Sequence, residues 1–396
     1  MKILFWLSTF IIVYTFVGYA IILFFLVKLK RAIKGIKTLP PLNNWPSVTL
    51  IVAAFNEEDC IQQKIDNTLQ LEYPQGKLRF IFITDGSTDQ TAELISKHSS
   101  IYLMHSPERK GKINAVHRAM RQVDSEITVF TDANTFLNKE ALLKICRHYA
   151  DPFTGAVSGE KRVCIDEKSD ATAGEGFYWK YESKLKKWDA ELYSVVGAAG
   201  ELFSIRTALY EPVPPDTILD DFMITLLIAK NGYRIAYEPD AYATETSSEN
   251  VKEELKRKVR IAAGGIQSIL RLKTLLNVFR HPVLSFQYIS HRVLRWTVVP
   301  PLMILVFVLN LLIVIQGSGA HYLLLLAGQI LFYMAAALGF LLEKRQLRNK
   351  FFFIPYYFVL MNYAVLAGIK RYYAGTQQVT WDKAKRKDAK PNIISN

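Results

Sequence analysis

Apolar residues are concentrated at the two ends of the chain. From Ile3 to Val27 almost every residue is apolar, which is long enough for one helix to cross the roughly 30 Å hydrocarbon core of a bilayer. Three further apolar stretches, Val293–Gln316, Tyr322–Leu342 and Phe351–Ile369, are candidate spans. A cleaved signal peptide is the alternative for the first stretch, but its apolar part would be shorter and would end in small residues. The pattern therefore predicts a chain anchored in a membrane at both ends.

The middle of the chain alternates between strand-like and helix-like patterns. The predicted strands are Ser47–Phe55, Phe80–Thr84, Ile101–Met104, Ile127–Thr131 and Tyr233–Tyr237. The predicted helices are Glu57–Leu71, Gly111–Val123, Asn138–Ala150 and Phe222–Ala229. This alternation is typical of an α/β domain with a mainly parallel sheet and helices on both faces. In such sheets ligands bind beyond the carboxyl ends of the strands.

These patterns divide the chain into five parts. Residues 1–28 are the N-terminal transmembrane anchor, and residues 45–280 are the α/β domain. Residues 281–292 mix apolar side chains with His and Arg, so we expect an interfacial helix lying on the membrane. Residues 293–370 form a transmembrane region of about three helices. Residues 371–396 are a basic tail.

Charge indicates how the chain is oriented. Lys and Arg number 49 against 36 Asp and Glu, a formal net charge of +13. Basic residues from Lys28 to Lys37 directly follow the first apolar stretch, so the positive-inside bias places residues 45–280 in the cytoplasm, at the inner or plasma membrane. Because the basic excess lies beside membrane segments, anionic lipid explains it, and we exclude nucleic acid as a partner.

The side of the membrane reached by the tail is ambiguous from the sequence. The loop Glu343–Lys350 is basic and should be cytoplasmic, whereas residues 317–321 carry no Lys or Arg and should face outward. Three passes that start inside end outside, yet the tail is rich in Lys and Arg. Either Phe351–Ile369, which contains Pro355, does not cross fully, or the tail is an exception to the bias.

Polar residues follow three of the predicted strands. Asn56 and Glu57 follow the first, and Asp85 ends the second, where its carboxylate can accept hydrogen bonds from a nucleobase and a ribose. A turn followed by a helix cap is the alternative for Asp85. Side chains two apart on an extended chain point the same way, so Asp132 and Asn134 can together hold Mg²⁺ or Mn²⁺ through oxygen. The neutral amide is a weaker ligand than a second carboxylate.

Charged residues at two helix starts complete the pattern. Lys112 follows a glycine at the start of a predicted helix, where backbone amides and cations suit phosphate oxygens. A solvated basic turn is the alternative there. Asp220 and Asp221 precede the helix Phe222–Ala229, where the helix dipole alone would also stabilise them. A carboxylate in such a position can also act as a general base.

Together these motifs resemble those of the inverting family 2 glycosyltransferases of the nucleotide-sugar-binding GT-A type. Within that family they are most similar to the membrane-embedded synthases related to cellulose, hyaluronan and poly-N-acetylglucosamine synthases. The resemblance implies a GT-A domain, a UDP-sugar donor, and Mg²⁺ or Mn²⁺ as cofactor. It assigns Asp221 as the catalytic base with Asp220 beside it, and Asp132 with Asn134 to the metal. The residues that it assigns to the nucleotide sugar are Asn56, Glu57, Asp85, Lys112, Asp132 and Arg260. Those that it assigns to the acceptor are Gly200, Glu201 and Ile261.

Three positions depart from the family pattern, and one of them is Arg257, which stands where the processive members have a Gln. Asn134 stands where the family has a second Asp, and Ile261 stands where the processive members have a Trp on which the acceptor sugar stacks. Arg260 matches the arginine that precedes this Trp, although a solvated basic helix face also explains it.

Three functions are consistent with these residues. The favoured one is a membrane-bound inverting enzyme that transfers a sugar from a UDP-sugar to a growing polysaccharide and forms a β linkage. A non-processive enzyme acting on a lipid or lipid-linked acceptor is the second, which Ile261 favours. The third is a catalytically inactive membrane scaffold of an export system, which Asn134 suggests and the joint presence of Asp85, Asp132 and Asp221 opposes. Membrane lipids are expected partners, and the sequence does not identify export or regulatory subunits.

Overall fold

The apolar runs of the middle region pair into one mixed sheet. The computed structural model describes residues 1–35, 38–42, 44–164, 172–246, 250–317, 319–345 and 349–376. The strands are β1 (Val48–Ala54), β2 (Leu78–Asp85), β3 (Ile101–Ser106), β4 (Ile127–Asp132), β5 (Phe136–Leu137), β6 (Thr154–Cys164), β7 (Leu202–Arg206) and β8 (Arg234–Thr246). Within the described residues they form an eight-stranded sheet in the order β3-β2-β1-β4-β7-β6-β8-β5.

The helices of the domain cover both faces of this sheet. They are α3 (Ile61–Leu69), α4 (Thr91–Ser96), α5 (Lys112–Met120), α6 (Ala141–Cys146), α7 (Thr172–Leu192), α8 (Asp220–Lys230) and α9 (Val251–Arg271). One apolar core lies between the sheet and α5, α8 and the end of α9. A second core lies on the opposite face, beneath α3 and α6. This arrangement is the two-faced α/β domain that the alternating pattern predicts.

The parallel part of the sheet brings the predicted site residues to one edge. β1 pairs in parallel with β2 on one side and β4 on the other, with Ala54 opposite Thr84 and Ala53 opposite Asp132. The three strands therefore end at the same level. Because the chain leaves β1 toward β2 and later returns to its other side as β4, this edge is a topological switch point, where open α/β sheets bind ligands.

The remaining half of the sheet differs from the predicted elements. β7 runs antiparallel between β4 and β6, whereas β6 and β8 are parallel. β6 and β7 are absent from the predicted strands, and β8 continues nine residues past the predicted end at Tyr237. The predicted helix Asn138–Ala150 is shorter: it consists of α6 and the 3₁₀ turn Arg147–Ala150.

Helices rich in apolar residues lie at both ends of the chain. They are α1 (Lys2–Val13), α2 (Tyr19–Lys34), α10 (Pro282–Tyr288), α11 (Val299–Ile315), α12 (Ala320–Lys344) and α13 (Lys350–Tyr373). In the described part of the chain, four helical segments are long and apolar enough to span a membrane: Lys2–Lys34, Pro282–Ile315, Ala320–Lys344 and Phe351–Tyr373. Residues 36–37, 346–348 and 377–396, which include parts of the predicted basic segments and most of the tail, lie outside the described residues.

Residues 281–292, predicted as an interfacial helix, lie at the start of a longer helix, and their position on the membrane stays a prediction. α10 continues through the π-helical residues Ile289–Val298 into α11. Gln287 and His291 are buried, and both contact Asp189 of α7. Gln287 Nε2 donates to Asp189 Oδ1 at 3.1 Å, and His291 Nδ1 lies 2.6 Å from Asp189 Oδ2. These two polar contacts hold the segment against α7, whereas Val283 near its start is exposed.

Helix α13 lies alongside α9 for most of its length. Near its start, Phe353 and Tyr357 pack with Val251, the first residue of α9. Near its end, a side chain at Gly368 would collide with Ala262 and with the carbonyl oxygen of Val259. The two helices thus run in the same direction, and their backbones approach closely at Gly368.

Candidate active site

Asp85 holds the turn that precedes α5. Its Oδ2 accepts hydrogen bonds from the backbone N–H groups of Lys110 at 2.9 Å and Gly111 at 2.6 Å. At Gly86 the backbone φ is 71°, and an added Cβ would lie 2.6 Å from Arg109 Cβ, so only glycine permits this close approach. One oxygen of the Asp85 carboxylate is therefore committed to shaping the loop in front of α5.

Asn56 and Glu57 join the loop after β1 to the loop after β2. Asn56 adopts a left-handed conformation with φ of 51°, which asparagine tolerates better than most residues. Its Oδ1 accepts a hydrogen bond from the backbone N–H of Thr88 at 2.8 Å. Glu57 is buried, and its backbone N–H donates to Thr91 Oγ1 at 2.8 Å. These bonds order both loops at the switch point.

Lys112 brings two of the predicted acidic residues together. Its Nζ lies 2.9 Å from Asp132 Oδ1 and 3.4 Å from Asp220 Oδ2. Burial lowers the pKa of Lys112, but the charges of Asp132 and Asp220 more than offset this and the pKa is raised. The side chain is therefore a permanent cation between the end of β4 and the start of α8.

Arg260 adds a second cation to the same cluster. Burial lowers its pKa, whereas the charges of Asp220, Asp132 and Asp221, in that order, act to raise it. Arg260 therefore faces the same carboxylates as Lys112. Two cations among three carboxylates form a charged centre at the edge of the sheet.

Asp221 is the carboxyl group with the strongest sign of a chemical role. Burial first, and the adjacent charge of Asp220 second, raise the pKa of Asp221 to about 7, against the opposing charge of Lys112. A Cβ added at Gly200 would lie 3.1 Å from Asp221 Oδ2, so the absence of a side chain there keeps the carboxylate accessible. A carboxylate with a pKa near the working pH is suited to accept a proton.

The side chains of Asp132 and Asn134 fit a hard divalent cation. Asn134 Oδ1 is buried and has no hydrogen-bond partner among the described residues. The Asp132 side chain is 31% exposed, so it can bind a ligand as well as Lys112. The described residues contain no group of three or more His, Cys, Asp or Glu side chains placed to hold a metal alone. Mg²⁺ and Mn²⁺ prefer such oxygen donors and complete their coordination with substrate phosphates and water, so a site with two protein ligands is consistent with this geometry.

Lys64 is a buried residue of the site that the sequence analysis missed. It is 0% exposed, and its Nζ donates to the carbonyl oxygen of Thr135 at 2.6 Å and to Thr131 Oγ1 at 3.2 Å. These two threonines flank the Asp132–Asn134 segment. Burial lowers the pKa of Lys64 to about 7, opposed by the charge of Asp132. A signal was present in the sequence, because Lys64 lies three residues after Ile61, on the apolar face of α3.

Glu201 differs from its neighbour Gly200, because its side chain takes part in ion pairs. Glu201 Oε1 forms an ion pair with Lys161 Nζ at 2.5 Å, and Lys161 also pairs with Glu245. Burial raises the pKa of Glu201, but the charge of Lys161 outweighs it and holds the pKa well below its usual range. The Glu201 backbone carbonyl accepts from Thr131 Oγ1 at 2.9 Å. The side chain thus stabilises the junction of β6, β7 and β8.

Ile261 is half-buried on α9, one residue beyond Arg260. The ring centre of Trp179 on α7 is 5.3 Å from Lys161 Nζ and 5.4 Å from the Nζ of Lys258, which precedes Ile261 by three residues on α9. Of the predicted site residues, the structure brings five into one charged centre with Gly200 beside it: Lys112, Asp132, Asp220, Asp221 and Arg260. Asn56, Glu57 and Asp85 order the adjoining loops.

The edge of the sheet that carries this charged centre lies largely within a segment that matches a known family. Residues 49–213 match the family described as "Glycosyl transferase family 2". The predicted resemblance is thereby confirmed.

Two named relatives are similar to this chain in sequence. The chain is 30% identical over 234 residues to the poly-beta-1,6-N-acetyl-D-glucosamine synthase of Staphylococcus aureus (strain MSSA476). The aligned region covers 57% of this chain and 56% of the relative. The protein of the same name from Staphylococcus epidermidis is 27% identical over the same length. The chain thus matches little more than half of the length of these curated relatives.

A solved structure matches almost the whole chain. It is the mannosyltransferase PcManGT from Pyrobaculum calidifontis, determined with GDP-Man and Mn²⁺, with a TM-score of 0.69 and 22% identity. The match covers 94% of this chain and 100% of that one. At this identity the likeness concerns the fold, and it confirms the predicted GT-A domain with apolar helices at both ends.

Proposed function

We propose that the protein is a membrane-bound inverting glycosyltransferase that transfers a sugar from a UDP-sugar to a growing polysaccharide. The observation that carries this proposal is the Asp221 carboxyl, whose pKa is raised to about 7 beside the charged centre of Lys112, Asp132, Asp220 and Arg260. Similarity to poly-N-acetylglucosamine synthases supports a polysaccharide product.

In the proposed reaction Asp221 is the general base. As the acceptor hydroxyl forms its bond to the anomeric carbon, its proton passes to the Asp221 carboxylate. The bond from the anomeric carbon to the diphosphate breaks, and its electron pair leaves with UDP. Attack from the face opposite the nucleotide inverts the anomeric carbon, so an α-linked donor yields a β linkage.

The cations of the site suit the leaving diphosphate. Lys112 and Arg260 supply positive charge where the departing UDP gains negative charge. Asp132 and Asn134 would hold Mg²⁺ or Mn²⁺, and such an ion supplies further neutralisation of the diphosphate. Asn56, Glu57 and Asp85, which order the two loops at the ends of β1 and β2, are the proposed nucleoside pocket.

The proposed location follows from the apolar helices. The catalytic domain is in the cytoplasm, where nucleotide sugars are made, and the basic residues after the first span favour this side. The acceptor is a polysaccharide or a lipid-linked glycan, and membrane lipids surround the terminal helices.

Full-length protein purified in detergent tests this function. With Mn²⁺ or Mg²⁺ and a panel of UDP-sugars, at least one donor should release UDP and yield a product that can be sized. Asp221→Asn should abolish release, whereas Asp216→Asn, an exposed aspartate paired with Arg271, should not. If the wild-type protein releases UDP from none of these donors, the proposal is contradicted. Release of GDP from GDP-mannose, added as a separate donor, would then reassign the donor.

A second candidate is a non-processive enzyme acting on a lipid-linked acceptor. Ile261 favours it, because a branched aliphatic side chain offers a smaller surface for a sugar ring than an aromatic one. A time course distinguishes the two. Long chains beside unused primer indicate a processive polymerase, and addition of a single sugar indicates the second candidate.

A further inference from the structure

A cavity of about 390 Å³ lies between the end of the first membrane helix and the catalytic domain. Its walls include Arg31 of α2, Lys184, Lys187 and Trp188 of α7, and Tyr237 of β8. None of these residues belongs to the charged centre around Asp221. The cavity is therefore separate from the proposed active site.

The cavity is lined by positive charge that the protein neutralises only in part. Arg31 forms a two-bond ion pair with Glu191, with nitrogen–oxygen distances of 2.5 and 2.6 Å. Lys184 and Lys187 are exposed, and in the described part of the chain neither lies within ion-pair distance of a carboxylate. Both are on one face of α7, because their spacing of three residues matches the helical period. Two cations thus face the cavity without a carboxylate bound directly to either.

The cavity lies at the level where the first apolar stretch ends. Tyr19, Leu23 and Val27 of α2 pack against Leu185 of α7 below it. The ring of Trp188 contacts Phe24 at a centroid distance of 5.4 Å, and Lys184 Nζ lies 5.0 Å from the Trp188 ring centre. Tryptophan and basic residues at the end of an apolar helix are typical of the headgroup layer of a membrane.

We propose that this cavity binds the headgroup of an anionic phospholipid. Lys184 and Lys187 pair with the phosphate, while Trp188 packs against the glycerol and the first carbons of the acyl chains. A phospholipid is favoured over a soluble anion because α2, which forms one wall of the cavity, exposes apolar side chains such as Phe25 and Leu29 to its surroundings. Basic pockets between membrane helices bind anionic headgroups in this way. The proposal does not depend on the transferase chemistry.

Binding of short-chain lipids to the full-length protein in mild detergent tests the proposal. Dioctanoyl phosphatidylglycerol should bind more tightly than dioctanoyl phosphatidylcholine. Each lysine is expected to contribute about fivefold to the affinity, so Lys184→Gln with Lys187→Gln should weaken phosphatidylglycerol binding at least tenfold. The matched control is Lys97→Gln with Lys139→Gln, two exposed lysines outside the cavity, which should leave binding unchanged.

Three further measurements distinguish a phospholipid site from a soluble-anion site and from a substrate site. The double Lys→Arg variant at positions 184 and 187 keeps both charges and should keep the affinity, which shows that the Gln variant loses binding through its charge and not through misfolding. Equal binding of both lipids, or equal loss in the control variant, overturns the proposal.

Displacement of phosphatidylglycerol by millimolar inorganic phosphate shows a soluble-anion site and also overturns the proposal. Binding of a polyprenyl phosphate in preference to phosphatidylglycerol overturns it as well, and assigns the cavity to a lipid-linked substrate.

Discussion

Asp221→Asn should remove sugar transfer and at the same time stabilise the fold. The amide keeps the size of the carboxyl but cannot accept the acceptor's proton. It also removes a group whose ionisation the folded protein disfavours, because burial and the charge of Asp220 raise the pKa of Asp221 from 3.8 to about 7. Loss of activity with gain of stability is the signature of a group strained for function.

The magnitude follows from the difference between the two pKa values. The unfolded chain releases this proton near pH 3.8 and the folded chain near pH 7, so between these values the folded state binds more protons and loses stability as pH rises. At about 1.4 kcal/mol per pH unit, the loss is at most roughly 4 kcal/mol above pH 7. Asp221 keeps part of its surface exposed, so we expect about 1–2 kcal/mol. That stabilisation corresponds to a Tm increase of about 2–5 °C at pH 8 and to none near pH 4.

Two assays on the purified protein measure these effects. Intrinsic tryptophan fluorescence during heating gives Tm at pH 4.5, 6 and 8, and transfer of a radiolabelled sugar gives the activity. In the wild type, kcat/KM should fall about tenfold for each pH unit below 7, as expected for an essential base. Asp216→Asn is the control and should change neither quantity substantially. Transfer above a tenth of the wild-type rate in Asp221→Asn, or a lower Tm at pH 8, would refute this role of Asp221.

Three further predictions concern the metal, the segment that carries it and the product. Asp132→Ala should abolish both turnover and metal-dependent UDP affinity, and Asn134→Asp should tighten Mn²⁺ binding by adding a charged ligand; full activity in EDTA contradicts both. Lys64→Met should raise the Mn²⁺ concentration for half-maximal activity about tenfold, because the Thr135 carbonyl loses its hydrogen-bond donor. An unchanged metal titration would show that Lys64 does not position the Asp132–Asn134 segment for the metal. Ile261→Trp should lengthen the products on a sizing gel, at a stability cost of roughly 1–3 kcal/mol if the surroundings are tightly packed; a uniform long polymer from the wild type contradicts the prediction.

The switch-point edge of the sheet could be predicted because its signals are local. β1, β2 and β4 are short, nearly continuous apolar runs, and each is followed directly by the polar residues of the site. Parallel strands that end at one level place Asp85 and Asp132 together without any knowledge of side-chain contacts. The start of α8, with Asp220 and Asp221 in its first turn, could be placed for the same reason.

The rest of the domain could not be predicted because its polar residues are satisfied by distant partners. β6 contains Ser158 and Lys161, which interrupt the apolar pattern although both are buried. Lys161 is tolerated there because it pairs with Glu201, forty residues later in the chain. Lys64 depends in the same way on Thr135. The periodicity of apolar residues places Lys64 on the apolar face of α3, but it does not identify the distant partners that allow such side chains to be buried.

The long contact between α13 and α9 bears on how many times the chain passes through the bilayer. α9 follows β8 of the catalytic domain and carries charged residues over most of its first three turns, so it lies outside the hydrocarbon. α13 touches the start of α9 at Phe353 and its middle at Gly368, and that middle adjoins Arg260 of the charged centre. A helix whose two ends both rest on the domain returns the chain to the side from which it came. This contact predicts that the chain crosses the membrane three times and that Tyr373, at the end of α13, lies on the same side as the catalytic domain.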